Sequence, residues 1–179
     1  MSIDMRSLTL EQLVCTLDLG VAKYKEMSGS DGLPLELFHF VSRSTPIVNV
    51  DLLIKDEIGR ILLAWRDDEF AGSGWHVPGG IIRFKETMED RIKKVAMIEI
   101  GVEVEYDPNP LAYNEVILDH DTRGHFLSFL HLCHLRGDFE PDNKDLKPTD
   151  PGFLKWHDEC PENIIDVHQI YRGHMNAHQ

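Results

Sequence analysis

The chain has 179 residues, of which 42% are hydrophobic and 27% charged, and this composition is typical of one folded domain with a sizeable core. Its net charge of −13 argues against binding to a nucleic-acid backbone, because such binding requires a basic surface. The same charge means that any anionic ligand needs a local basic cluster or a divalent metal.

The cysteines and the apolar runs bear on the compartment in which the protein works. Cys15, Cys133 and Cys160 are odd in number and far apart, which favours reduced thiols in a cytoplasmic protein over a disulfide framework. No apolar run approaches about 18 residues, so the sequence predicts neither a signal peptide nor a membrane span.

The N-terminal residues have the pattern of a helical arm. Apolar residues recur with helical spacing over 7–27, and either Ser7 or Thr9 is a suitable N-cap. A second, shorter helix is predicted over 34–41. Residues 1–42 are too few for a separate domain, so we expect an arm that packs on the core or on a partner subunit. Because an amphipathic helix outside the sheet needs a surface to bury against, the arm predicts a homodimer.

The rest of the chain alternates short β-prone runs with turns. Residues 47–55 are rich in Val, Ile and Leu and alternate poorly with polar residues, which indicates a buried strand. A polar turn then leads into a returning strand. Strands are predicted over 47–55, 61–66, 75–77, 102–106, 111–118, 125–135 and 153–156.

The C-terminal part combines a long loop with a predicted closing helix. The polar loop 137–152 contains three prolines and is long enough to be a candidate functional loop. A helix is predicted over 161–172, starting at a proline, and His168 is expected to be one of its exposed histidines. Taken together, the elements predict an α/β fold, a mixed sheet with helices on both sides in an α/β/α sandwich.

The central stretch has the most specific pattern in the chain. A glycine pair is followed by an acidic residue and a helix of about three to four turns, which ends at a glycine suited to the left-handed conformation. This spacing is similar to the Nudix signature, G-x5-E-x7-R-E-U-x-E-E-x-G-U, where U is apolar. Gly80, Glu86, Ala96, Glu99, Gly101 and Val102 fall on signature positions, whereas Lys94 replaces the arginine, and Val95 and Ile98 replace two glutamates.

The resemblance extends beyond this box to one branch of the Nudix family. Residues 43–52, 62–66, 74–80 and 94–101 are similar to the GDP-mannose mannosyl hydrolases, and the match covers roughly residues 43–102. The resemblance implies a Nudix-type α/β/α sandwich, with residues 43–179 as the hydrolase domain.

The altered box implies a site for one metal ion rather than several. By resemblance, Gly79 and Glu99 hold Mg²⁺, with Mn²⁺ as an alternative, whereas Val95 and Ile98 cannot ligate. One carboxylate suffices for a single ion if the substrate supplies phosphate oxygens. A single ion is better suited to stabilising a departing nucleoside diphosphate than to generating hydroxide between metals. The substrate would then be a nucleotide sugar attacked by water at the sugar C1, with a general base.

The resemblance also assigns the substrate-facing residues. Asp51 and Arg66 occupy positions used for the sugar and the diphosphate, and Lys94 keeps a positive charge without the planar fork of arginine. The branch has a phosphate-side arginine where this chain has an isoleucine, and Arg83 is the candidate substitute. The histidine base of the branch is absent, and Asp150 is the candidate replacement. His120 and His125 are equal alternatives as base.

Three functions remain open from the sequence. The first is a Mg²⁺-dependent hydrolase of a nucleoside-diphosphate sugar, resembling GDP-mannose hydrolysis, with Arg66, Lys94 and Asp150 in catalytic roles. The second is a Nudix pyrophosphatase that attacks phosphorus in another nucleoside-diphosphate derivative. The third is a binding module that retains the fold without turnover.

Overall fold

A mixed sheet of eight strands forms the centre of the molecule, in a computed structural model that describes residues 8–28 and 32–176. The first strand lies in the middle, parallel to the seventh and antiparallel to the second and fourth. The mixed sheet is therefore as predicted. The strands are β1 (Ile47–Lys55), β2 (Ile61–Asp68), β3 (Gly72–His76), β4 (Gly79–Ile81), β5 (Glu105–Tyr106), β6 (Ala112–Ile117), β7 (His125–His134) and β8 (Leu154–His157).

Alternate residues of β1 supply two hydrophobic cores, one on each face of the sheet. Leu52 packs on one face with Ile92 of the central helix, and Leu53 packs on the other with Tyr171 near the C-terminus. Full burial of a leucine contributes about 1.5–3 kcal/mol, so both faces stabilise the sheet. The predicted α/β/α sandwich is confirmed. The helices are α1 (Leu10–Ser28), α2 (Leu35–Ser42), α3 (Met88–Val95), a π-helical turn (Ala96–Ile100), a 3₁₀ helix (Asp166–Tyr171) and α4 (Arg172–Met175).

The central helix has the predicted start and end but a wider last turn. Thr87 caps its N-terminus, with Oγ1 accepting the Asp90 N–H at 3.1 Å. Gly101 ends it with a φ of 85°, and its N–H donates to Ala96 O at 3.0 Å. That bond spans five residues, which makes the last turn π-helical rather than α-helical. The turn carries Glu99.

The glycine pair forms part of the sheet as β4, a strand that the sequence analysis did not predict. A Cβ on Gly79 would lie 2.1 Å from Asp51 Oδ1, and one on Gly80 would lie 2.8 Å from Val95 Cγ2. Only glycine allows β4 to approach β1 and the central helix so closely.

The predicted closing helix over 161–172 is wrong in its first half. Trp75 of β3 donates its N–H to Asn163 O at 3.0 Å and accepts the Ile165 N–H at 2.9 Å. These bonds to the edge of the sheet hold the segment extended, so helical structure begins only at Asp166.

The N-terminal arm has both predicted helices. Thr9 Oγ1 accepts the Gln12 N–H at 3.2 Å, while the Thr9 N–H donates to Gln12 Oε1 at 2.8 Å, a reciprocal cap. Ser7, the other N-cap candidate, lies outside the described residues. No residue of α1 is buried, and Leu10 is 78% exposed. The homodimer and the division between residues 1–42 and 43–179 stay predictions. In the described part of the chain, no helix is long and apolar enough to cross a membrane.

Candidate functional site

A cavity of about 710 Å³ opens between β1, the glycine strand β4, the end of the central helix and the 3₁₀ helix. This volume is in the range of small-molecule sites. The cavity brings together most of the residues chosen from the sequence. Asp51, Arg66, Gly79, Arg83 and Glu99 line it, whereas Lys94 and Asp150 do not.

Glu99 presents its carboxylate to the cavity between two neighbours. Oε1 accepts the Gly79 N–H at 3.3 Å, and Oε2 lies 3.3 Å from His76 Nε2. The two signature positions that lack glutamate flank it: Val95 is buried, and Ile98 is 76% exposed. The helix therefore presents one carboxylate to the cavity, as its sequence predicted.

The backbone of Gly79 faces the Glu99 carboxylate. Leu52 donates its N–H to Pro78 O at 2.8 Å, while Gly79 stands opposite Asp51. Hydrogen-bonded and non-bonded positions alternate in antiparallel pairs, so the N–H and C=O of Gly79 are directed away from β1. Its carbonyl is thus free of the β1 ladder.

Asp51 lies at the floor of the cavity and is only 3% exposed. Its Oδ2 accepts hydrogen bonds from Asn49 Nδ2 at 3.0 Å, Tyr171 OH at 2.5 Å and the Ser128 hydroxyl. Burial raises the pKa of Asp51, these hydrogen bonds oppose the rise, and the charge of Glu99 adds to it. Its Oδ1 is left to face Gly79 and the cavity.

Glu86 does not line the cavity but holds the loop that precedes the central helix. Its 6% exposed side chain pairs with Arg91 at 2.6 Å and Lys94 at 2.9 Å, and it accepts the Arg83 N–H at 2.9 Å. Burial alone would raise the Glu86 pKa, but these donors lower it to about 2. Lys94 is therefore turned to Glu86, and Arg91 lines the cavity instead.

Arg123 is a cavity residue that the sequence did not single out. Its guanidinium lies 4.3 Å from the centre of the Phe70 ring, and its Nε is buried without a hydrogen-bond partner among the described residues. The backbone is left-handed, with a φ of 56°, and its N–H donates to Ser42 Oγ of α2 at 3.1 Å. Burial lowers the Arg123 pKa, and the nearby Arg66 charge lowers it further.

His168 is buried at 8% exposure and lines the cavity, so its expected exposure is wrong. Its Nδ1 accepts the Val77 N–H at 3.0 Å, which leaves the proton of the neutral ring on Nε2. Burial holds the His168 pKa well below its usual value, and the nearby His76 and Arg66 lower it further. The ring is therefore a fixed hydrogen-bond donor.

The three candidate bases lie in different places. His120 lines the cavity, whereas His125 pairs with Glu115 at 3.1 Å on the sheet surface. Asp150 accepts the Lys147 N–H at 2.8 Å within the long loop, outside the cavity lining.

The donors fit a single divalent ion. Among the described residues, no three His, Cys, Asp or Glu side chains have the spacing of metal ligands. One carboxylate with an adjacent backbone carbonyl is nevertheless the donor set that Mg²⁺ accepts when waters and substrate oxygens complete the shell.

Comparisons with known proteins bear on the fold. No protein family model matches the chain. The low-salt glycan biosynthesis protein Agl8 of Haloferax volcanii is 29% identical over 132 residues, which cover 70% of this chain and 84% of that protein. The crystal structure of a MutT NUDIX hydrolase from Burkholderia pseudomallei aligns with a TM-score of 0.57 at 23% identity, over 72% of this chain and 97% of that one.

A second solved structure gives the same result. The MutT protein of Methanosarcina mazei Go1 aligns with a TM-score of 0.57 at 15% identity, over 74% of this chain and 94% of that one. At such identities the likeness concerns the architecture of the sheet and its helices. The chain has the Nudix fold, as the spacing of its glycines and glutamates predicted.

Proposed function

We propose that the protein is a metal-dependent hydrolase of a nucleoside-diphosphate sugar, of which GDP-mannose is the first candidate, and that water attacks the sugar C1. The observation that supports this most is that Glu99, the carboxylate that the central helix presents to the cavity, lies there with Asp51 and Arg66. A site for one ion suits departure of a nucleoside diphosphate better than attack at phosphorus. The relative from Haloferax volcanii is named for glycan biosynthesis, which is compatible with a sugar-containing substrate.

In this proposal the chain holds both ends of the substrate. Glu99 and the Gly79 carbonyl would hold Mg²⁺, which when bound neutralises negative charge on the diphosphate. Arg66 and Arg123 line the cavity and bind phosphate oxygens. Asp51 accepts a hydrogen bond from a sugar hydroxyl through Oδ1.

His120 is proposed as the general base that takes the proton of the attacking water. Of the three candidates, His120, His125 and Asp150, it is the one that lines the cavity. Lys94 acts through Glu86, which it holds together with Arg91, and so serves as a positioning residue.

Product identity tests the proposal. The protein is incubated with GDP-mannose and Mg²⁺, and we expect GDP and mannose. Release of GMP and mannose phosphate would reject attack at C1 and favour the second candidate, a pyrophosphatase. Binding of GDP-mannose without any product over hours would indicate the non-catalytic binding module.

Glu99→Gln provides the matched variant for the same assay. Because it removes the negative charge but keeps the shape, we expect metal-dependent turnover to fall by more than about a hundredfold. Glu89→Gln, on the exposed side of the same helix, serves as control and should retain activity. Unchanged activity in Glu99→Gln would reject its role as metal ligand.

A further inference from the structure

His76 places its Nε2 beside the carboxylate of Glu99. The ring is 12% exposed and lines the cavity at the end of β3. Its Nδ1 lies 2.8 Å from Ala64 O, and since a carbonyl can only accept, Nδ1 carries the proton. Nε2 of the neutral ring is then unprotonated and lies 3.3 Å from Glu99 Oε2. Two electron-pair donors this close require a cation between them or an added proton.

We propose that His76 Nε2 and Glu99 Oε2 bind the same divalent ion, which makes the metal centre a mixed nitrogen and oxygen site. This inference rests on the proposed function only in placing the metal at Glu99. Donors about 2.0–2.2 Å from one metal and adjacent in its shell lie about 3.0–3.4 Å apart. The observed 3.3 Å falls within that range.

The surroundings of His76 hold the ring in this orientation. Ala64 of β2 is 1% exposed and stands directly opposite His76 in the pairing of β2 with β3. A backbone carbonyl on the far nitrogen is the usual partner of a metal-binding histidine, because it fixes the tautomer and the ring plane. On the other side, the Gly79 N–H on Oε1 leaves Oε2 to share the ion with His76.

The nitrogen donor compensates in part for the carboxylates absent at Val95 and Ile98. It also changes which ion the site prefers. Mg²⁺ strongly favours oxygen ligands, whereas Mn²⁺, Co²⁺ and Zn²⁺ accept imidazole readily. The site therefore selects Mn²⁺ over Mg²⁺ more strongly than an all-carboxylate site would.

Pulsed electron paramagnetic resonance on Mn²⁺ tests this without substrate. The protein is stripped with chelator, loaded with Mn²⁺ and examined for ¹⁴N coupling, and dissociation constants are measured for Mn²⁺ and Mg²⁺. The variants are His76→Phe, which keeps ring size, and His76→Gln, which keeps a polar group. His125→Phe is the control, because His125 and Glu115 form a similar pair, 3.1 Å apart, outside the cavity lining.

We expect ¹⁴N coupling in the wild type and in His125→Phe, and none in either His76 variant. The Mn²⁺ dissociation constant should rise at least about tenfold in the His76 variants, while that for Mg²⁺ rises less than about threefold. Absence of ¹⁴N coupling in the wild type, its survival in a folded His76 variant, or equal weakening of both ions would overturn the proposal. Thermal melting identifies which variants are folded.

The outcome is separable from that of the proposed function. Nitrogen coupling lost with His76 supports the mixed site even if no nucleotide sugar is hydrolysed. Hydrolysis at C1 without nitrogen coupling would instead keep the function and remove His76 from the metal.

Discussion

Replacing Glu86 with glutamine should destabilise the protein by about 2–3 kcal/mol at pH 7. The carboxylate is 6% exposed and pairs with Arg91, itself 11% exposed, and with Lys94. A pKa lowered from 4.5 to about 2 corresponds to about 3 kcal/mol, at about 1.4 kcal/mol per pH unit. Glutamine keeps the acceptor for the Arg83 N–H, which reduces the loss slightly.

The stabilisation that Glu86 contributes depends on pH. Because the folded-state pKa lies below the unfolded value, the stabilisation is complete above pH 4.5 and is lost as the pH falls towards 2. The wild type should therefore converge with Glu86→Gln over that window, since the variant lacks the carboxylate at every pH.

Urea unfolding with chelator present, at several pH values between 7 and 3, measures the difference. Glu89→Gln is the control, because the Glu89–Lys93 pair lies one turn away and is 62% and 59% exposed. Such a surface pair contributes about 0–1 kcal/mol. A stability of Glu86→Gln equal to that of Glu89→Gln at pH 7, or a deficit that did not change with pH, would contradict the stabilising role of the Glu86 carboxylate.

Three further predictions follow from the cavity. Gly79→Ala should lower stability by more than about 2 kcal/mol in thermal melts, because the new Cβ would lie 2.1 Å from Asp51 Oδ1; stability equal to wild type would contradict the close approach of β4. Arg123→Gln should raise KM for the nucleotide sugar about tenfold or more, because it removes a cation from the cavity lining; an unchanged KM would remove Arg123 from the phosphate site. His168 should show the Nε2–H tautomer by ¹⁵N NMR and stay neutral as the pH falls through 6.5, because burial holds its pKa well below that value; titration near pH 6.5 would contradict its burial.

Local pattern was sufficient for most of the sheet. The run of β1, rich in Val, Ile and Leu, was predicted with both of its ends, because burial on two faces leaves a distinct composition. The resemblance to the Nudix family selected Gly79 and Glu99, and the structure places them side by side.

The rest of the site depends on contacts between distant segments. Arg123 is held by Ser42 and Phe70, neither of which is near it in sequence. Its backbone is left-handed although the residue is not a glycine, so the sequence did not indicate this conformation. His168 was expected on an exposed helix, but the preceding residues bond to β3 and turn it inward onto Val77. The π-helical turn could not be predicted from the sequence either, because it differs from an α-helix by one hydrogen bond.

Hydrolysis of GDP-mannose in ¹⁸O-labelled water tests the central claim most directly, because the label marks the atom that water attacks. With Mg²⁺ or Mn²⁺ present, we expect one ¹⁸O in the released sugar and none in the nucleotide. Label in a phosphate product, with the sugar unlabelled, would contradict attack at C1 and the role assigned to the single metal at Glu99.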